Sequence, residues 1–112
     1  MATHVSHVEV TGRDGAKLQK FYSEAFGWRL GTEGPGGYAM TDGKGGVSAG
    51  FGKADDGGPG HVTFYVHADD AQGALDKVVK LGGKVIMPLT EVAPGTTIAL
   101  FADPEGHVVG LM

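Results

Sequence analysis

Two histidines in strand-like segments are the residues of this sequence best suited to chemistry. His7 lies in the alternating run His4–Thr11, and His61 opens the run His61–Val66. Successive side chains of a strand point to opposite faces, so each histidine points away from the valine that follows it. Imidazole ligates divalent metals, and it exchanges protons near neutral pH. Both residues are therefore candidates for metal ligands, general bases or hydrogen-bonding groups.

A repeated order of elements positions the two histidines. Each run is followed by apolar residues at helical spacing and then by three short segments between glycine-rich turns. His7 precedes the helix residue Phe21 by 14 positions, and His61 precedes Leu75 by 14. Such repetition indicates one structural unit used twice. The prediction is a single α+β domain of two βαβββ modules, at about 1–54 and 61–112, with a linker at about 55–60.

Local signals set the predicted ends of these elements. Asp14 stands just before the first helix, where a capping residue belongs, and Gly27 is placed to end that helix. Asp69 or Asp70 is the matching cap of the second helix. The predicted strands after the helices are 28–31, 37–41 and 47–52 in the first module and 84–87, 96–102 and 108–112 in the second.

Composition and charge exclude several functions. The nine lysines and arginines are scattered among thirteen acidic residues, for a net charge of −4, so we expect no nucleic-acid partner. The absence of cysteine excludes disulfides, thiolate nucleophiles and iron–sulfur clusters. No apolar run reaches the ~20 residues of a membrane span, and the first residues do not have the pattern of a signal peptide. We therefore expect a cytoplasmic protein with no membrane partner.

Five sequence runs carry a resemblance to a known family. They are HVEV at 7–10, FYSEAFGW at 21–28, HVTFYV at 61–66, LGG at 81–83 and DPEGHVVGL at 103–111. Together they resemble the vicinal oxygen chelate superfamily, which includes glyoxalase I, bleomycin-resistance proteins and extradiol dioxygenases. The resemblance implies that the two modules form a curved mixed sheet around a cleft that binds the ligand, with helices on the outer faces.

The resemblance also implies where a metal would bind. Metal-dependent members of the superfamily take ligands from the first and last strands of each module, and His7 and His61 match the two first-strand positions. At the last-strand positions the chain has Ala49 and Gly110, whose side chains bind no metal. Two imidazoles without a carboxylate fall short of a two-histidine, one-carboxylate site, and Glu9 is the nearest substitute. We therefore expect no resident Zn, Ni, Fe or Mn.

Strand alternation and the resemblance together predict the walls of the ligand-binding cleft. Polar groups come from the first strand of each module, and apolar and aromatic groups come from the remaining segments. The small residues at positions 49 and 110 are expected to leave room for the ligand. The predicted lining residues are His7, Glu9, Trp28, Tyr38, Ala49, Phe51, His61, Thr63, Tyr65, Val108, Gly110 and Met112.

Three classes of function stay open at this point. The first is metal-independent binding of a small molecule, such as a drug or a metabolite, without chemistry. The second is an enzyme that depends on a divalent metal, either a glyoxalase-like lyase or an extradiol-type dioxygenase. The third is an accessory module. The resemblance also implies a homodimer, because this fold often pairs through edge strands.

Overall fold

The computed structural model describes residues 3–31 and 35–112, apart from the side chain of Pro35. Over these residues the predicted α+β class is confirmed, with seven strands, two α-helices and one 3-10 helix. In chain order the elements are β1 (Thr3–Gly12), α1 (Gly15–Phe26), the 3-10 helix (Pro35–Gly37), β2 (Ala39–Met40), β3 (Ser48–Lys53), β4 (Val62–Ala68), α2 (Ala71–Lys80), β5 (Lys84–Ala93), β6 (Thr96–Ala102) and β7 (Val108–Leu111). No helix in the described ranges is long and apolar enough to cross a bilayer.

The Cα positions divide the chain into two compact units. The His7 unit consists of His7–Val62, and the Tyr65 unit consists of residues 3–6 together with Thr63–Met112. The division falls within β1 and at the start of β4. The glycine-rich segment 55–60 therefore lies inside the His7 unit.

In the His7 unit, helix α1 covers one side of a small mixed sheet. Strand β3 pairs in parallel with β1 and antiparallel with β2. The ring of Phe51 on β3 is 1% exposed and stacks on Tyr22 of α1, with ring centroids 4.8 Å apart. A Cβ added at Gly15 would lie 2.6 Å from the backbone nitrogen of Lys53. A glycine is therefore needed where α1 starts against β3.

The predicted ends of α1 are confirmed. The Asp14 carboxylate accepts a hydrogen bond from the Lys17 backbone N–H at 3.0 Å, as an N-cap does. Gly27 ends the helix in the left-handed conformation, with φ of 71°, and its N–H donates to the Ser23 carbonyl at 2.8 Å.

The predicted strand at 28–31 is wrong. Only Gly31 forms a bridge there, to Met40. The neighbouring strand β2 has two residues, so it offers too short an edge for a further strand.

In the Tyr65 unit, helix α2 packs on a four-stranded arrangement in the order β4-β7-β6-β5. Strands β4 and β7 are parallel, and the other two pairs are antiparallel. The Asp70 carboxylate caps α2 by accepting from the Gly73 N–H at 2.9 Å. Strand β5 runs from Lys84 to Ala93, beyond the predicted 84–87. The core of this unit is formed by Ala68, Leu75, Ala99 and Leu111.

Candidate functional site

The imidazole of His7 is held by two hydroxyl groups. His7 on β1 pairs with Ser48 on β3, and its Nδ1 lies 2.5 Å from the Ser48 Oγ. Its Nε2 lies 2.8 Å from the Tyr38 hydroxyl oxygen. The ring is half-buried, and the parallel pairing of β1 with β3 sets its position. Both nitrogens of the histidine therefore have hydrogen-bonding partners from the protein.

Burial keeps this imidazole neutral. It lowers the pKa of His7 from its ordinary value of 6.5, and the nearby Glu9 carboxylate opposes the shift with a smaller effect. At pH 7 one ring nitrogen carries a proton and the other carries a lone pair. One of the Ser48 and Tyr38 hydroxyls therefore donates to the ring, and the other accepts from it. Reversing both bonds changes which of the two ring nitrogens carries the proton.

Two glycines on β3 let the Tyr38 ring lie across the sheet on the His7 side. A Cβ built on Gly50 would overlap the hydroxyl end of the Tyr38 side chain, and a Cβ on Gly52 would lie 2.7 Å from its Cδ1. Gly50 pairs with Glu9 and Gly52 with Thr11, so both glycines share the face of His7. The close approach of the phenol to the backbone therefore requires glycine at position 50.

Glu9 and His61 form a second polar contact in the His7 unit. The Nε2 of His61 lies 2.9 Å from the Glu9 Oε2. The backbone of His61 is bonded to that of Thr11, through Thr11 N–H to His61 O at 2.9 Å and the reverse bond at 3.2 Å. The Glu9 side chain is 17% exposed and that of His61 is 42% exposed. Solvent therefore reaches this pair, so its contribution to stability is small.

The donor set does not fit the metal that the resemblance implies. Both nitrogens of His7 contact hydroxyl groups, so a metal would have to displace one of them. Glu9, the predicted substitute ligand, is directed at His61. Among residues 3–31 and 35–112, no three histidine, aspartate or glutamate side chains are placed to hold an ion. No chemical step of this chain is therefore assigned to a metal.

In the Tyr65 unit, the predicted lining residues pack against one another. Thr63 and Tyr65 are 8% and 7% exposed, and the Thr63 hydroxyl donates to the Val108 carbonyl at 2.7 Å. A Cβ built on Gly110 would overlap the Tyr65 ring. The expectation that Gly110 leaves room for a ligand is therefore wrong, because an aromatic ring fills the space. Met112 accepts a hydrogen bond from the Ser6 hydroxyl at its sulfur, at 3.3 Å.

Three predicted lining residues lie on the opposite side of the sheet from His7. Ala49 pairs with Val8 and Phe51 with Val10, so both face the side that α1 covers. Trp28 stacks toward Phe51, with centroids 6.2 Å apart. These three residues were expected to line the same cleft as His7, and their place on the other side of the sheet corrects that expectation. On β3 the residues that share the face of His7 are Ser48, Gly50 and Gly52, and a shift by an odd number of residues along a strand moves every side chain to the opposite face.

Ser48 and Gly50 are site residues that were not predicted from the sequence. Both share the His7 face through the pairs His7 with Ser48 and Glu9 with Gly50. Glycine carries no polarity signal, so alternation along β3 alone does not indicate its face. The side chains of β3 can be assigned to the two faces of the sheet in two ways, and one of them places Ser48 next to His7.

Comparisons with known proteins agree with this fold. The family model of the Glyoxalase/Bleomycin resistance protein/Dioxygenase superfamily matches residues 4–111. A putative glyoxylase, CFP32, of Mycobacterium bovis is 30% identical over 112 residues, covering 93% of this chain and 43% of the relative. The anthracycline biosynthesis protein DnrV of Streptomyces peucetius is 32% identical over 111 residues, covering 83% of this chain and 40% of the relative. This chain therefore spans less than half the length of either relative.

A solved structure shows the same fold. A glyoxalase/bleomycin resistance protein/dioxygenase superfamily member from Vibrio splendidus aligns with a TM-score of 0.65 and 17% identity, covering 98% of this chain and 97% of that one. With a family match along almost the whole chain, this protein belongs to the Glyoxalase/Bleomycin resistance protein/Dioxygenase superfamily.

Proposed function

We propose that this chain binds a small molecule without a resident metal. The ligand's polar contacts come from one face of the His7 unit, where His7 holds the hydroxyls of Tyr38 and Ser48 and where Glu9 and His61 also lie. The observation that carries the proposal is the double contact of the His7 ring with two hydroxyls. This arrangement occupies the lone pair that a metal would need, and it leaves neutral hydrogen-bonding groups in a half-buried setting. A few placed polar groups beside aromatic surface are typical of small-molecule sites.

The comparisons support a small molecule as the ligand. The superfamily description includes bleomycin resistance, and one relative is described as an anthracycline biosynthesis protein. Within the His7 face, the neutral imidazole, the two hydroxyls and the Glu9 carboxylate provide both donors and acceptors. A ligand acceptor that bonds the hydroxyl of Ser48 or Tyr38 makes that hydroxyl donate to the ligand. The same hydroxyl then accepts from His7, and the other hydroxyl donates to His7.

Ligand binding to metal-free protein tests the proposal. Protein treated with EDTA is screened against small drugs and metabolites by thermal shift, and each hit is titrated by calorimetry. Loss of one hydrogen bond is worth about 0.5–1.5 kcal/mol, so Tyr38→Phe and Ser48→Ala should each weaken a hit about three- to tenfold. The control is Tyr22→Phe, since Tyr22 stacks on Phe51 on the other side of the sheet. Hits that bind equally well to all variants contradict the proposed face.

The same assay separates this proposal from a metal-dependent enzyme. A glyoxalase-like lyase or a dioxygenase would act on hemithioacetals or catechols only after Zn, Ni, Fe or Mn is restored. Ligand binding or turnover that appears only with added metal would therefore replace the binding proposal with the enzymatic one.

We also propose that the protein is a cytoplasmic homodimer. Its support is the exposed apolar surface of each unit, including Val62 at 72% and Leu81 at 69% exposure. Contiguous apolar surface left in solvent marks sites that meet another chain, and we propose that a second copy of the chain covers these side chains. Sedimentation equilibrium at micromolar concentration should give the dimer mass, and a strict monomer contradicts this part of the proposal.

A further inference from the structure

The His7 unit has a cavity on the side of its sheet away from His7. The cavity has a volume of about 410 Å³, and its walls are lined by Val8, Trp28, Val47, Ser48 and Ala49. The turn at 41–45 forms its rim. Val8 and Ala49 pair with each other and alternate with His7 and Ser48 along the two strands, so their side chains face away from the polar face. The volume lies in the range of small-molecule sites, about 300–1,000 Å³.

Other aromatic rings pack against Trp28, the aromatic residue in the wall of this cavity. The Trp28 ring lies 5.1 Å from Phe26 and 6.2 Å from Phe51, and Phe51 is buried against Tyr22. Although it belongs to this aromatic cluster, Trp28 is still 40% exposed. An indole that packs on other rings and also faces an open cavity presents a flat surface on which a further aromatic ring can stack.

The rim adds a cation to this aromatic wall. The Asp42 carboxylate accepts from the Lys44 backbone N–H at 2.9 Å, and the Gly46 N–H donates to the Gly43 carbonyl at 2.9 Å. These bonds shape the turn and direct a carboxylate oxygen of Asp42 at its backbone. Lys44 is exposed, and among the ion pairs found in the described part of the chain none includes its ammonium.

We propose that this cavity, the Trp28 pocket, binds an aromatic anion. The ring of the ligand stacks on Trp28 between Val47 and Ala49, and its carboxylate or phenolate oxygen meets the Lys44 ammonium. The proposal does not rest on the polar face described above, since the two contacts it needs come from Trp28 and Lys44, which are not part of that face.

Trp28 makes the test direct, because it is the one tryptophan in the sequence. The probes are 2-naphthoate and its neutral counterpart 2-naphthalenemethanol, each titrated by calorimetry and by quenching of tryptophan emission. We expect 2-naphthoate to quench saturably and to bind about two- to fivefold more tightly than the alcohol, the preference that an ionic contact with an exposed ammonium gives. Lys44→Gln should remove this preference. The matched control Lys80→Gln removes an exposed lysine of α2 and should leave both affinities unchanged.

A second variant tests the pocket without relying on Lys44. Val47 is 46% exposed, so Val47→Glu is tolerated by the fold and places a negative charge at the pocket wall. We expect it to abolish 2-naphthoate binding while the circular dichroism spectrum is unchanged. The proposal is overturned if no saturable quenching occurs, or if Lys44→Gln and Val47→Glu bind 2-naphthoate as well as the unmodified chain does.

Discussion

Replacing Gly50 with alanine tests the arrangement of Tyr38 over β3. The added methyl would overlap the hydroxyl end of Tyr38, so the phenol must move away from the strand. Movement of the phenol breaks its contact with the Nε2 of His7, which is 2.8 Å long in the structure. A single methyl group therefore perturbs both the packing and the hydrogen bonding of the candidate site.

The expected magnitude follows from two contributions. Overpacking of a well-filled site costs about 1–3 kcal/mol, and the lost hydrogen bond costs about 0.5–1.5 kcal/mol. Together they lower the free energy of unfolding by about 1.5–4.5 kcal/mol. At about 4 °C per kcal/mol for a domain of this size, the melting temperature should fall by about 6–18 °C.

The control and a double-variant cycle isolate the cause. A Cβ at Gly45 would meet nothing within 4 Å and needs no positive φ, so Gly45→Ala should change stability by less than about 0.5 kcal/mol. In a Tyr38→Ala background the overlap is gone, and Gly50→Ala should then cost nothing or stabilise slightly. Denaturant titrations of the four proteins give the coupling energy. Equal costs of Gly50→Ala with and without Tyr38 would refute the proposed contact.

Three further predictions concern other parts of the fold. Gly15→Ala places a Cβ 2.6 Å from the Lys53 nitrogen, so chemical denaturation should show a loss of about 1–3 kcal/mol. Burial lowers the pKa of His7, so as the pH falls the unfolded chain binds a proton at this histidine before the folded chain does. The free energy of unfolding should therefore fall as the pH drops below 6.5. Denaturation of His7→Gln at the same pH values should show a smaller fall, because the variant lacks this titrating group. Hydrogen bonds from the His107 and Glu105 backbones lower the pKa of Asp103 below 3.8. The ionised carboxylate therefore stabilises the folded chain above pH 3.8, and this stabilisation is lost at more acid pH. The stability difference between the unmodified chain and Asp103→Asn should therefore shrink in acid, and a difference that grows would contradict this assignment.

Local signals account for what the sequence predicted correctly. Asp14, Gly27 and Asp70 act through bonds to residues three or four positions away, so the caps can be identified without knowledge of the tertiary structure. A strand followed by a helix and further strands in each half also required only periodicity, although the first half has two strands after α1 where three were predicted. Membership of the superfamily follows from runs that extend along the chain, and the family match over residues 4–111 agrees with it.

The site depended on information that the local pattern lacks. His7 contacts Tyr38 and Ser48, which are 31 and 41 positions away in the sequence. The face of β3 depends on its register against β1, and the alternation of glycine with serine, alanine and phenylalanine there does not specify it. The sequence could therefore indicate that His7 and Tyr38 belong to one site, but it did not specify their contact or the place of Ser48 beside His7.

Metal binding at equilibrium tests the central claim most directly. The purified chain is dialysed in turn against Zn²⁺, Ni²⁺, Fe²⁺ and Mn²⁺, and bound metal is measured per chain by mass spectrometry, with His7→Ala alongside. Because Ser48 and Tyr38 occupy both nitrogens of His7, we predict less than about 0.1 ion per chain and no difference from His7→Ala. One ion per chain that is lost in His7→Ala would contradict the account.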